Sequence, residues 1–524
     1  MNLKVIAAGP ESPAHLEDPN RLAELDSPAT GATSNGHGAA HDEDDHHHGV
    51  DRNVHRAQFQ DARIFQSKDY RAKEETLAVL AEGIRDTDLV TAPVVLPDFY
   101  HKALLEMPSS IAVATRNSIR PTLTSAAVNC GMALITFDAE RPSRERIADF
   151  YESVRKTYPF PPTLRREITY AEVLESATRG AEFAVGRWGL DPNDLLAIEE
   201  GGKLDLESFG GKARLKEEVP WLMLQLSRLR FGTIGPSTHF VELQQVEEVL
   251  DQEAARKLGL RLGQITMQYH GGDGVLNIQM GQRFGRRLAG SRALRVVMGV
   301  QKPMYQLASV RSRRQLKERM SLYFSKGCPP VPRDSEEGER LMLANAVAMN
   351  YGFAYRQATY STLRSTAQRA FGARMNLIVD SPHNTIYDET IRGEAAVVHR
   401  HNSARAFPAS RMQGHPVFGE TGMPLLLPGT NRTSSFLCVA AEGAHQSLYS
   451  ASHGTGSIIT DFARRGLSGP DPLGHTTLRF RYQDRTATVV PHLDDNGVTE
   501  GLRILVASDL VRPVARLRPF AVLN

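Results

Sequence analysis

Residues 125–132 read Ser-Ala-Ala-Val-Asn-Cys-Gly-Met, SAAVNCGM, and the fold turns on how Cys130 is read. Taken alone, the octapeptide offers no second ligand beside the thiol. A small buried apolar residue and a metal-binding thiolate are both open readings. The chain's three cysteines, Cys130, Cys328 and Cys438, are widely spaced and odd in number. That argues against a disulfide framework and for a reducing, cytoplasmic compartment. With 62 basic against 60 acidic residues, the formal charge is +2, so attraction to a polyanion must be local. Apolar runs such as LVTAPVVLP (89–97) fall short of the roughly 18–20 residues a membrane span needs, so no membrane partner is expected.

Outward from this stretch the chain divides in two. Residues 1–55 carry GHGAAHDEDDHHHG (36–49) and no aromatic ring before Phe59. Such a segment has little to bury and is expected to be a disordered His/Asp-rich tail, a solvated one rather than a metal site of fixed spacing. Residues 56–524 carry folding patterns throughout. Helical period marks 69–85, 241–258, 311–324 and 337–357. Short β-rich runs recur at 111–115, 133–137, 265–269, 294–300, 395–401, 486–493 and 502–508. Helices and strands mix without a βαβ rhythm, which predicts an α+β fold, one large domain with a mixed β core and peripheral helices. The stretch 283–319 is rich in arginine and lysine, with Glu318 as its one acid. It is either a phosphate-attracting surface or a set split between a solvated face and internal pairs.

Common catalytic motifs are missing: no G-x-x-x-x-G-K-[ST], no H-E-x-x-H, no C-x-x-C. Chemistry must therefore come from residues far apart in the chain. Four histidines sit in unusual local settings: His239 in GTIGPSTHFVELQ, His270 in ITMQYHGGDG, His383 in VDSPHNTIYDE and His453 in HGTGS. Three of the four follow or open a β-rich run beside turn residues, where sites are commonly built. Cys130 with His239, His270 and His383 makes a chemically suitable donor set for zinc, manganese or iron(II). Each of them alone reads more readily as structural.

Nine blocks in fixed order join these residues. VVLPDFYHKALLEMPSSIAVAT, AVNCGM, GTIGPSTHFVEL, YHGGDG, SPHN, VHRHNSARAFP, LLPGTNRTSSFL, SHGTGS and PVARLRPFAVLN resemble, in turn, the conserved segments of the RtcB family of RNA ligases. The resemblance runs from about Gln60 to the C-terminus. It implies a GTP- and manganese-dependent enzyme of tRNA splicing and RNA repair. Such an enzyme joins RNA 3′-phosphate or 2′,3′-cyclic phosphate ends to 5′-hydroxyl ends through a histidine–GMP intermediate. Cys130, His239, His270 and His383 fall on the family's ligands for one or two Mn2+ ions, with Zn2+ as the alternative. His453 falls on the nucleophile. Thr238, Phe240, Glu242, Asn384, Pro428, Gly429, Thr430, Asn431, Ser435, Gly454, Thr455 and Gly456 fall on guanylate-contacting positions. Arg400 and Arg405 are expected to meet RNA phosphate, and an archease-like activator is an implied partner.

The departures lie at the chemistry. Ala127 stands where the family has a metal-binding aspartate, and Thr238 where it has asparagine. Gly271, Asp273 and Gly274 replace its serine and arginine block, His401 a lysine and Ser457 an arginine. The family's penultimate lysine falls on or beyond Asn524. A degenerate paralogue that binds metal and RNA without ligating is therefore the alternative.

Overall fold

The computed structural model describes residues 62–524 apart from 103–104, 161–165, 236–238, 273, 285–291, 326–328 and 485. The tail 1–55 and the domain start at 56 lie outside the described residues. No helix among the described residues is long and apolar enough to cross a membrane.

The α+β expectation holds. A nine-stranded sheet runs in the order 424–427, 435–440, 511–523, 240–249, 265–271, 131–137, 375–382, with the hairpin 476–480/488–491 attached through the strand Val511–Leu523. A five-stranded sheet orders 63–64, 94–95, 111–115, 394–401 and 384–391. The helix Glu336–Phe371 crosses the molecule and packs on helices Arg144–Thr157, Tyr170–Arg179, Ala181–Trp188 and Val275–Arg283. Its 36 residues extend about 54 Å at 1.5 Å per residue. Ser335 caps its start and Gly372, in the left-handed region, ends it.

Three expectations change type. Residues 241–258 are not one helix: Phe240–Val249 is a central strand, and only Gln252–Lys257 is helical. Pairing on both sides, to Val511–Leu523 and Ile265–Gly271, overrides the charged residues' helical preference. The run 294–300 lies inside the helix Arg292–Leu307, and 502–508 mostly inside Asn496–Ala507. In the latter, Val498, Gly501, Leu502 and Leu505 are buried at helical spacing. The basic stretch divides. Arg319 is buried against Glu337, Arg283 is buried beside Gln301, and Arg311, Arg313, Arg314 and Lys317 are exposed.

Candidate metal centre and nucleotide site

Strand order brings the separated ligands together. The strands 240–249, 265–271, 131–137 and 375–382 are consecutive and antiparallel. Their starts and ends therefore alternate along one rim of the sheet. His239 precedes the first, His270 sits near the end of the second, Cys130 precedes the third and His383 follows the fourth. Cys130 Sγ lies 3.2 Å from His270 Nε2 and 3.7 Å from His239 Nε2. The backbone N–H of His383 donates to the carbonyl of Cys130 at 2.9 Å. His453 follows the short strand Ser450–Ser452 of another sheet. Its ring stacks on His383 with centroids 3.5 Å apart and lies 5.3 Å from that of His270.

The turn that presents Cys130 is held from below. Asn129 adopts φ +60°, and its carbonyl and side-chain oxygen both accept from Arg356 of the long helix. Arg356 Nε also donates to Asp380 Oδ1 at 2.6 Å, and Gln357 Nε2 to Asp380 Oδ2 at 2.8 Å. This buried pair thus ties the Cys130 turn to the strand Met375–Pro382, which His383 follows. Gly131 has no room for a side chain: a Cβ there would stand 2.7 Å from the Ser381 carbonyl and 2.9 Å from Arg356 Cζ.

The donors suit a metal. The Cys130 thiol and the imidazoles of His239 and His270 converge within 4.8 Å of one another, and the three imidazoles of His270, His383 and His453 form a second group that shares His270. His383 keeps Nδ1 buried with no hydrogen-bond partner among the described residues, an open donor of the kind a ligand or ion completes. Burial holds His383 and His453 well below the ordinary imidazole value, and neighbouring histidines reinforce it. Both rings are therefore neutral at pH 7, as metal ligands and nucleophiles require. The second position is thinner. Ala127 contributes no side-chain oxygen, and its carbonyl already accepts from Cys130 N and Asn384 Nδ2.

The expected guanylate positions form a connected wall. Gln244 Nε2 donates to Glu242 at 2.7 Å and reaches Ser435 Oγ at 3.3 Å, and Ser435 Oγ accepts from Gly429 N at 3.1 Å. Thr455 Oγ1 closes the far side on the Pro428 carbonyl at 2.7 Å. Thr430 and Asn431 lie in the same turn, where Thr430 N donates to Thr433 Oγ1. Gly454 and Gly456 flank Thr455. Phe240 packs its ring 5.9 Å from that of His270. Asn384 spans the gap to Asn402 N at 2.9 Å. Thr238 and Asp273 lie outside the described residues.

Burial changes the expectation for Glu242. With Gln244 opposing only in part, its carboxyl is pushed up to about 8, so it is mostly protonated at pH 7 rather than a ready anion. The phosphate role of Arg400 and Arg405 does not fit their geometry. Arg400 is buried and forks onto Glu389 at 2.6 and 3.0 Å. Arg405, also buried, reaches Glu200 at 2.5 Å and stacks on Tyr387 and Phe407. Arginines carried into a core must meet carboxylates there.

Sequence reasoning assigned no role to Asp98. Its carboxylate accepts from Ser457 N and Ser457 Oγ, both at 2.6 Å, and so caps the helix Gly456–Arg464 that begins beside His453. Tyr70 OH bonds the same Ser457 hydroxyl at 2.8 Å. Burial lifts Asp98 to about 6 against these hydrogen bonds. The signal was present in the Pro-Asp pair of the opening block, VVLPDFY.

The profile of the family described as tRNA-splicing ligase RtcB matches residues 84–524; the chain belongs to this family. It is 25% identical over 416 residues to a tRNA-splicing ligase RtcB of Pyrococcus furiosus, covering 75% of this chain and 39% of that one. It is 26% identical over 434 residues to the protein so named in Thermococcus kodakarensis, covering 78% and 82%. An RNA-splicing ligase RtcB of Mycobacterium bovis is 29% identical over 306 residues, covering 57% and 63%. The chain thus spans about two-fifths of the length of the Pyrococcus furiosus relative.

Proposed function

We propose that this protein joins RNA ends with GTP through His453. The reading is supported above all by one observation: the His453 ring lies flat on His383, 3.5 Å between centroids, at the meeting point of the Cys130 cluster and the Glu242–Ser435–Pro428 wall. A nitrogen of His453 attacks the α-phosphorus of GTP; an N–P bond forms and pyrophosphate leaves with the P–O electron pair. The GMP moiety passes to an RNA 3′-phosphate, releasing His453. The 5′-hydroxyl of a second end then attacks that activated phosphate, loses its proton and expels GMP. A 2′,3′-cyclic phosphate is first opened by water.

Cys130, His239 and His270 would hold the first divalent ion, manganese or zinc, and His383 with Cys130 a second. Such ions supply positive charge beside phosphate oxygens. Asp98 holds the helix after His453 in place. Glu242 reads the guanine edge, accepting once it ionises. RNA and GTP are the partners, with an archease-like activator as a further one.

The test is incubation of the full chain with α-labelled GTP and Mn2+. A covalent, acid-labile GMP adduct is expected on wild type and none on His453→Ala, together with joining of 3′-phosphate and 5′-hydroxyl RNA ends. No adduct with any divalent metal overturns the proposal. Bound metal and RNA without adduct would leave a binding protein that does not ligate.

A further inference from the structure

A second convergence of donors lies away from this site. Asp471 and His475 precede the strand Thr476–Phe480, and His492 follows the strand Thr488–Pro491. The backbone closes the three into one cluster: His492 N donates to the His475 carbonyl at 3.0 Å and Asp471 N to the His492 carbonyl at 3.1 Å. One donor atom from each residue falls within 4.8 Å of the others. His475 Nδ1 meets Asp471 Oδ2 at 2.6 Å, and its Nε2 lies 3.6 Å from Glu247 Oε1. His492 is 2% exposed. Its Nε2 bonds Thr477 Oγ1 at 2.6 Å, which fixes the ring, while its Nδ1 is buried with no hydrogen-bond partner among the described residues.

We infer that Asp471, His475 and His492 form a separate metal site of the zinc type, which the family's known ligand positions do not include. Two imidazoles and a carboxylate are the donor set of many three-ligand zinc sites, with a fourth place open. Glu247 Oε1 lies 3.6 Å from His475 Nε2, but Arg518 pairs with Glu247 at 2.9 Å and with Asp495 at 3.0 Å. The Thr477 hydroxyl on the far nitrogen of His492 fixes the ring from outside, the role that carboxylates, carbonyls or waters usually fill for ligating histidines. The site is remote from Cys130. Glu247 lies seven residues along the strand Phe240–Val249 from Phe240, about 23 Å at 3.3 Å per residue.

An ion here would clasp the two arms of the hairpin to each other. The same hairpin bonds the segment after the Pro428–Asn431 turn, through Leu493 N to the Arg432 carbonyl at 2.9 Å and Arg432 Nε to the Pro491 carbonyl at 3.1 Å. The ion would thereby stiffen one side of the nucleotide wall.

The test uses the full chain carrying Cys130→Ala and His270→Ala, so that the first site is disabled and the histidine-rich tail is common to every arm. Zinc per chain is measured at equilibrium against a chromophoric chelator, with circular dichroism to verify folding. The background is expected to hold one tight zinc, lost on adding His492→Gln or His475→Asn. A folded variant of either kind with unchanged zinc content overturns the inference. Should both substitutions unfold the chain, the background itself decides: its melting temperature must rise with added zinc, and no rise overturns the inference as well. Neither outcome depends on nucleotide transfer, so this site stands or falls separately from the ligase reading.

Discussion

Glu242→Gln separates the charge of this residue from its shape. The side chain is 5% exposed and sits on a strand paired on both sides, opposite Val522 and Gln268. Glutamine keeps an oxygen to accept from Gln244 and loses only the titration. The carboxyl rises from 4.5 to about 8 on folding, and each pH unit of such a rise corresponds to about 1.4 kcal/mol. The sign follows from proton binding. Between pH 4.5 and 8 the folded chain holds a proton that the unfolded chain has released, so stability falls as pH rises and levels off above 8. From pH 6 to pH 8 the wild type should lose about 2 kcal/mol relative to Glu242→Gln. Guanidinium unfolding of both chains at matched pH, without nucleotide, reads this difference, and groups common to both cancel. Parallel curves from pH 6 to 8 would refute the claim that burial keeps this carboxyl protonated.

Because only the ionised form of Glu242 accepts two donors, GMP affinity measured by calorimetry should strengthen from pH 6 to 8 in wild type and stay flat in Glu242→Gln. Arg356→Met strands Asp380 in the core and should destabilise by roughly 3–5 kcal/mol in chemical unfolding. Adding Asp380→Asn should recover most of the loss, and no recovery would show that the pair is not the cause. Gly131→Ala forces a Cβ to 2.7 Å from the Ser381 carbonyl and should lower bound metal at the Cys130 cluster, read by elemental analysis; unchanged metal would mean that the turn gives way without moving the thiol. Ala127→Asp supplies the missing carboxylate and should raise manganese at this rim from one ion toward two, with no change in stoichiometry as the contrary result.

The rim ligands were legible because each lies at a strand end whose flanking turn is written locally: Gly-Pro before His239, Gly-Gly after His270, Ser-Pro before His383. What joins them was not, since antiparallel order is a long-range property. The supporting groups were hidden for the same reason. Arg356 acts on Asn129 across 227 residues of chain, and Asp98 on Ser457 across 359. Arg400 and Arg405, expected at RNA phosphate, meet carboxylates elsewhere in the chain instead: Glu389, Glu199 and Glu200. The strand Phe240–Val249 lies in a segment, 241–258, whose sequence has helical period. Its place between two long strands decided otherwise.

Ala127 gives this member of the family its particular problem. The donor set at Cys130, His239 and His270 survives whole, and Arg356, Asp380 and Gln357 still hold its turn rigidly. The opposite side has Ala127, which offers no side-chain oxygen, and the buried Nδ1 of His383, which has no hydrogen-bond partner among the described residues. On the proposed reading such a rim should bind one ion more strongly than a second, because the second group, His270, His383 and His453, shares His270 with the first and brings neither a thiolate nor a carboxylate. Any nucleotide chemistry at His453 must then draw its second increment of positive charge from elsewhere. The arginines sometimes available for that task are closed off in the core here: Arg400 by Glu389 and Arg405 by Glu200. The Ser457 hydroxyl is directed to Asp98. Dependence of GMP transfer on free metal should accordingly extend well beyond the concentration that fills the first site, and a rate that saturates with that site alone would show that one ion suffices.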